Sequence, residues 1–262
     1  EMDSSRRFTD YRRMLDKYHH EIDAVVVATP DHTHFHPASA AMELGKHLYL
    51  EKPMAHNVWE CRKLTELAAR NNLATQLGMQ RHVKDNMHRV TELIRAGAIG
   101  DVTEVHSWVS SERGMFPRLE EPQTVPETLD YELWLGPVEH QPYDSEITPY
   151  GWRFWWDFGT GESGNWGCHI LDIPFTALNL DYPTYAAASG PIPHRKMSTK
   201  AMHSWFDFPA KGDRKALRLH WYQAESGPQI LKDLGLSNGG KNNLFIGTKG
   251  MLLCGFDQRQ LL

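Results

Sequence analysis

No stretch of this sequence approaches the ~18 consecutive apolar residues that a membrane span requires, and no polybasic block is present. Lys and Arg total 28 against 33 Asp and Glu, a net charge of -5. Without a basic excess, neither a nucleic-acid partner nor a membrane partner is expected. The opening residues, EMDSSRRFTD, are polar and carry no signal-peptide pattern. The compartment is therefore unknown from sequence: cytoplasmic by default, with export open if a signal lies upstream. Cysteine is scarce. Cys61, Cys168 and Cys254 form an odd, scattered set, which argues against a disulfide framework and offers no CxxC metal spacing. No internal repeat or low-complexity segment appears. Glycine is missing until Gly45, so no G-x-G-x-x-G turn is present to cradle a pyrophosphate. On pattern alone two readings stand: a fold that binds no nucleotide, or a dinucleotide fold whose first βαβ unit lies upstream.

The 262 residues suffice for one large domain or two modest ones. AVVVA (24–28) is a continuous apolar, mostly β-branched run, predicting a strand buried on both faces of a parallel sheet. A helix over 6–20 precedes it, and TPDHTH follows as a loop. Helical spacing over 34–44 ends at Gly45, a good residue to follow a helix. HLYL (47–50) predicts the next strand. Asn57 with Glu60 three residues on predicts a capped helix over 58–70, and 74–78 a third strand. Strand, helix, strand, helix, strand is half of a doubly wound sheet. Beyond Met79 the texture changes. A helix over 85–96 and a strand over 102–110 are followed by a long irregular stretch, 112–150, of a length more typical of functional or oligomer-contact loops; Glu120 and Glu121 within it predict a solvated acidic loop. Strands are predicted over 204–208, 217–223 and 244–246. The expected fold class is α/β: a partial Rossmann-type parallel sheet (1–80), then an α+β domain with a mostly antiparallel sheet (81–262).

In HLYLEKPMA (47–55) a strand runs straight into Glu51, Lys52 and Pro53. The carboxyl end of a parallel strand is where doubly wound folds hold their ligands. A lysine partly desolvated there has its pKa lowered toward proton-transfer chemistry. Pro53 fixes the backbone and admits a cis bond that would aim the lysine. Asn165, His169 and Asp172, spaced by four and three, fall on one face of a helix, and histidine is the usual proton carrier near neutral pH. Arg153, Trp155, Trp156 and Asp157 precede a glycine run; aromatic faces stack on sugar rings and charged groups bind hydroxyls. His32, His34 and His36 alternate, a spacing that converges poorly, with no Cys or Glu to complete a set, so no metal is expected.

AVVVATPDHTHFHPASAAMELGKHLYLEKPMA, followed by YELWLGP (131–137), WRFWWDFGTG (152–161), GCHILD (167–172) and FIGTKG (245–250), resembles the Gfo/Idh/MocA oxidoreductases over nearly the whole chain. EKP alone is a weak signal; the motifs in this order are a strong one. The resemblance implies an NAD(P)-dependent oxidoreductase, with NAD ahead of NADP, acting on a sugar, polyol or related hydroxylated compound. It implies Lys52 and His169 as catalytic residues, the histidine as general acid/base. Asp172 matches a position that touches substrate hydroxyls, and Asn165, Arg153, Trp156 and Arg81 are expected beside it on the substrate. Thr29, Pro30, His32, His34, Glu51, Lys52, Pro53 and Gln80 are expected along the cofactor. Many relatives carry Asp where this chain has Asn165. The glycine loop of relatives falls upstream of residue 1, so the sequence looks like a shortened member, expected to expose the Ala24 strand as an edge and to bind NAD weakly. Two alternatives stay open: a relative that cleaves glycosides with recycled NAD, or a non-catalytic sugar-binding or oligomerising module. Homo-oligomers, dimer or tetramer, are expected by the same resemblance.

Overall fold

The computed structural model describes residues 6–115, 121, 123–192, 194–224, 227–237 and 239–262. They divide into two compact units: those within 1–78, 118–153 and 157–159, and those within 79–117, 154–156 and 160–262. Glu120 lies outside the described residues, and Glu121 is exposed.

The first unit opens with helix α1 (Tyr11–Tyr18), capped where the Asp10 side chain accepts from the Arg12 backbone N–H. Strands β1 (Ala24–Val27), β2 (His47–Glu51) and β3 (Thr75–Gly78) run parallel in the order β1-β2-β3. Helices α2 (Phe35–Glu43) and α3 (Val58–Arg70) are the connections. Asn57 caps α3 in a full capping box with Glu60. Cys61, Leu64, Leu67 and Ala68 repeat at helical spacing and pack with Ala38 and Met42 of α2 on Val27, Leu48 and Leu50. A short helix α5 (Tyr131–Leu135), capped by Asp130, also belongs to this unit.

The expectation that AVVVA is buried on both faces is overturned. Val27 is buried but Val26 is 69% exposed. In register, Val25 and Val27 pair with Leu48 and Leu50 on the face covered by helices, while Val26 pairs with Tyr49, also exposed. Among the described residues, β1 has one strand neighbour and one covered face.

The second unit is a seven-stranded mixed sheet in the order β10-β9-β8-β4-β7-β6-β5. Its strands are β4 (Val102–Val109), β5 (Tyr185–Ser189), β6 (Met202–Phe208), β7 (Leu217–Gln223), β8 (Lys241–Gly247), β9 (Gly250–Cys254) and β10 (Arg259–Leu261). All pairings are antiparallel except β4 with β7. Helices α4 (Asp85–Arg95) and α6 (Cys168–Leu178) cover one face, with Val90, Ile94, Ile173 and Ala177 against Val105, Leu219, Phe245 and Leu252. A short α7 (Gln229–Asp233) packs Leu231 near Trp108 and Leu244 on the other.

Pro174 sits inside α6 and cannot donate to the Ile170 carbonyl one turn back. Asn243, fully buried on β8, supplies the missing donor: its Nδ2 lies 3.2 Å from Ile170 O, while its Oδ1 accepts the Ser107 hydroxyl at 2.6 Å. The helix keeps its proline because the sheet beneath satisfies the orphaned carbonyl. Among the described residues no helix is long and apolar enough to cross a membrane.

Candidate active-site residues

In the first unit the parallel register brings the carboxyl ends of the strands side by side, with Val27 opposite Leu50 and Glu51 opposite Gly78. The loops leaving β1 and β2 therefore meet. His34, buried, ties them: its Nδ1 lies 2.7 Å from Pro53 O and its Nε2 2.7 Å from Thr29 O. Thr29 is exposed and Pro30 half-buried, and the Thr33 hydroxyl donates to Pro30 O at 3.0 Å. Glu51, Lys52 and Pro53 are half-buried at the same corner, with a cis Lys52–Pro53 bond. The glycine at 78 makes room for this corner, since a Cβ there would fall 2.8 Å from the Glu51 carboxyl carbon.

His32 takes a different place from its neighbours. It is 2% exposed, its ring between Trp134 and Phe158 at centroid distances of 5.2 and 5.1 Å, with Nε2 2.9 Å from Trp134 O. Burial lowers its pKa to about 4, so the ring is neutral at pH 7. The YELWLGP segment thus packs against the TPDHTH loop a hundred positions earlier. A cavity of about 1220 Å³ opens beside them, lined by Thr29, Pro30, Thr33 and Trp134 together with Arg7 and Arg12. Arg153 spreads its guanidinium over Tyr150 and Trp152, 4.5 and 4.3 Å from the ring centroids.

The second unit gathers another group. Trp166 contacts His169 (ring centroids 5.6 Å apart), and the Arg81 guanidinium lies 5.8 Å from Trp166 and 4.8 Å from Phe256. His169 is buried. Asp172 accepts from His82 Nδ1 across 2.8 Å, a link between positions ninety apart that no local spacing announces. Gln80 is exposed in this unit, and Trp156 donates its indole N–H to His194 O at 3.2 Å.

The expected uniform helical face through Asn165 is also corrected. Ser163–Gly167 forms a π-helical turn that passes into α6 at Cys168, so Asn165 and His169 do not share an α-helical repeat. Gly164 permits that turn: a Cβ there would sit 1.6 Å from Thr160 Oγ1. Asn165 Nδ2 donates to Glu162 Oε2 at 3.1 Å, and Arg113 Nε donates to Oε1 of the same fully buried carboxylate at 2.6 Å. The amide at 165 supplies a donor where an aspartate would place a second carboxylate beside the first.

Two family models match. One, described as "Oxidoreductase family, NAD-binding Rossmann fold", covers residues 2–79. The other, "Oxidoreductase family, C-terminal alpha/beta domain", covers 106–205. The chain belongs to the Gfo/Idh/MocA oxidoreductase family. Inositol 2-dehydrogenase 1 of Saccharopolyspora erythraea is 38% identical over 86 residues, 32% of this chain and 26% of that protein. An oxidoreductase of Streptococcus pneumoniae is 36% identical over 87 residues, 33% of this chain and 24% of that protein. Among solved structures, an inositol dehydrogenase homologue from Azotobacter vinelandii, complexed with NADH and myo-inositol, superposes with a TM-score of 0.62 at 18% identity, covering 97% of this chain and 60% of that one. Levoglucosan dehydrogenase complexed with NADH and levoglucosan gives 0.65 at 19% identity, again over 97% and 60%. These likenesses carry the fold. The chain spans about three fifths of the length of those structures, and the aligned segments about a quarter of the curated relatives.

Proposed function

We propose that this protein takes part in NAD-linked oxidation of a secondary hydroxyl on a sugar or polyol. The observation that carries the reading is the corner where His34 holds the Thr29 and Pro53 carbonyls, setting Lys52 at the carboxyl ends of parallel strands in a chain of this family. The names of the relatives, inositol and levoglucosan dehydrogenases, point to the substrate class, and the NADH of the solved neighbours favours NAD over NADP.

The described residues fit a dinucleotide at that corner. Thr29 and Pro30 line a cavity large enough for one, beside three arginines, Arg6, Arg7 and Arg12. In this reading Thr29, Pro30, Glu51, Lys52, Pro53 and Gln80 hold it, while His32 and His34 support the loop. When bound, the nicotinamide supplies the hydride acceptor. Lys52 contributes a positively charged hydrogen-bond donor. His169 takes the hydroxyl proton as the carbon is oxidised to a ketone. Asp172 binds substrate hydroxyls, with His82 orienting its carboxylate, and Asn165, Arg153, Trp156 and Arg81 complete the substrate contacts. In this reading residues 1–80, with the 130–137 segment packed on them, serve the dinucleotide, and most of 81–262 serves substrate binding and oligomerisation, in a homodimer or tetramer.

The test follows nicotinamide absorbance with NAD and NADP against inositols, anhydrosugars and simple polyols, comparing the protein with Lys52→Ala and His169→Ala. Reduced cofactor should accumulate with one substrate class and fall by roughly 100-fold or more in each variant. Turnover that survives both substitutions would remove these residues from the chemistry, and no reduction with any hydroxylated compound would overturn the reading.

A further inference from the structure

On the second unit's sheet, the face opposite α4 and α6 carries a cluster that the proposed chemistry does not use. The parallel β4–β7 register sets His106 opposite His220, and the β6–β7 register sets His203 opposite Tyr222. Glu104, two residues before His106 on β4, shares that face. His106 Nε2 lies 3.1 Å and His220 Nε2 3.0 Å from one oxygen, Glu104 Oε1. The remaining ring nitrogens are occupied: His106 Nδ1 is 3.0 Å from the Tyr222 hydroxyl, and His220 Nδ1 is 2.9 Å from His203 Nε2.

We propose that Glu104, His106 and His220 form a binding site for a divalent first-row transition ion of the Zn²⁺ type, held by two imidazole Nε2 atoms and one carboxylate oxygen, with water in the open positions.

The spacing supports this. Two ligand atoms each ~2.0–2.1 Å from a tetrahedral ion stand about 3.3 Å apart, close to both nitrogen–oxygen distances. All three donor atoms lie within 4.8 Å of one another. The two rings are 11° from parallel, with centroids 4.8 Å apart, so closing on an ion requires each to tilt about its outer side-chain torsion. The chemistry of the donors fits as well. The Tyr222 hydroxyl accepts from a ligating His106, and His203 from a ligating His220, the outer hydrogen bonds that orient metal-bound rings. Mixed imidazole and carboxylate ligation suits Zn²⁺, Fe²⁺ or Co²⁺ more than Mg²⁺ or Ca²⁺. Glu104, with a side chain 39% exposed, leaves a path to solvent. The sequence concealed the set because its members lie on strands far apart in the chain; the alternating His32, His34 and His36 that drew attention belong to the other unit.

The experiment titrates the metal-free protein with Co²⁺ and follows its visible d–d absorption, then displaces it with Zn²⁺. One equivalent should give saturating bands. His106→Ala, His220→Ala and Glu104→Gln should each weaken binding roughly 100-fold or more, and Tyr222→Phe roughly 10-fold. His36→Ala should leave the titration unchanged. Glu104→Gln preserves side-chain size, so near-ultraviolet circular dichroism and this variant decide the matter if an alanine variant fails to fold. Absence of bands at one equivalent, or equal Co²⁺ affinity in wild type and Glu104→Gln, overturns the site.

Discussion

Acid should weaken the first unit through His32. In the unfolded chain its imidazole takes up a proton near pH 6.5, whereas burial among Trp134 and Phe158 delays protonation in the folded state to about pH 4. The unfolded state therefore binds more protons between these values, and stability must fall as pH drops through that window. Above about pH 6.5 no loss occurs, and below about pH 4 the loss is complete. At about 1.4 kcal/mol per unit, the full interval corresponds to roughly 3 kcal/mol, and about 2 kcal/mol is already lost at pH 5. That is a large fraction of an ordinary domain's 5–15 kcal/mol. Urea unfolding of the protein and of His32→Gln at pH 7.5 and pH 5 isolates the effect. Glutamine keeps a donor for the Trp134 carbonyl but does not titrate. His106 and His220 titrate alike in both proteins and cancel in the difference. The wild type should lose about 2 kcal/mol more than the variant between the two pH values. Equal losses would refute the assignment of a buried, neutral His32.

Asn165→Asp should destabilise the second unit by about 1–3 kcal/mol at pH 7, because a carboxylate replaces the amide donor to buried Glu162; thermal unfolding should show the deficit shrinking as the pH falls toward 4. Asn57→Ala removes the α3 cap and should cost about 1 kcal/mol in urea unfolding, whereas the neighbouring exposed Val58→Ala should cost less than about 0.5 kcal/mol. Gly164→Ala drives a methyl group into Thr160 and should lower stability by about 1–3 kcal/mol; an unchanged melting temperature would mean that the π-helical turn can give way freely.

Much of the fold was legible because local rules and tertiary demands agree. The α3 boundaries follow from Asn57 and Glu60, and the parallel half from alternating strands and helices. The failures share one cause, that pattern is blind to what lies across a sheet or beneath a loop. AVVVA reads as doubly buried, yet Val26 shows that only one face is covered. The 165–172 spacing assumes an α-helix, yet Gly164 against Thr160 admits a wider turn. At the candidate site, EKP and the β1 loop could be placed at strand ends from sequence. The His34 tie, the His82–Asp172 pair and the Glu162 anchor beneath Asn165 could not, because each joins segments distant in sequence or depends on a buried neighbour.

The single parallel pairing in the second sheet has a consequence for how the chain reaches its native state. β4 lies between β7 and β8, and both arise more than a hundred residues after it. Its apolar side chains, among them Val105 and Trp108, both at 0% exposure in the finished sheet, have no strand partner during synthesis until residues beyond 217 emerge. At about 5–20 residues per second, that is a wait of several seconds to tens of seconds with an unpaired central strand. Loop closure over such a separation precedes any reward from pairing. The second unit is thus built from the inside outward in space but completed from its far end in time, and the interval before β7 docks is when it is most open to misassociation.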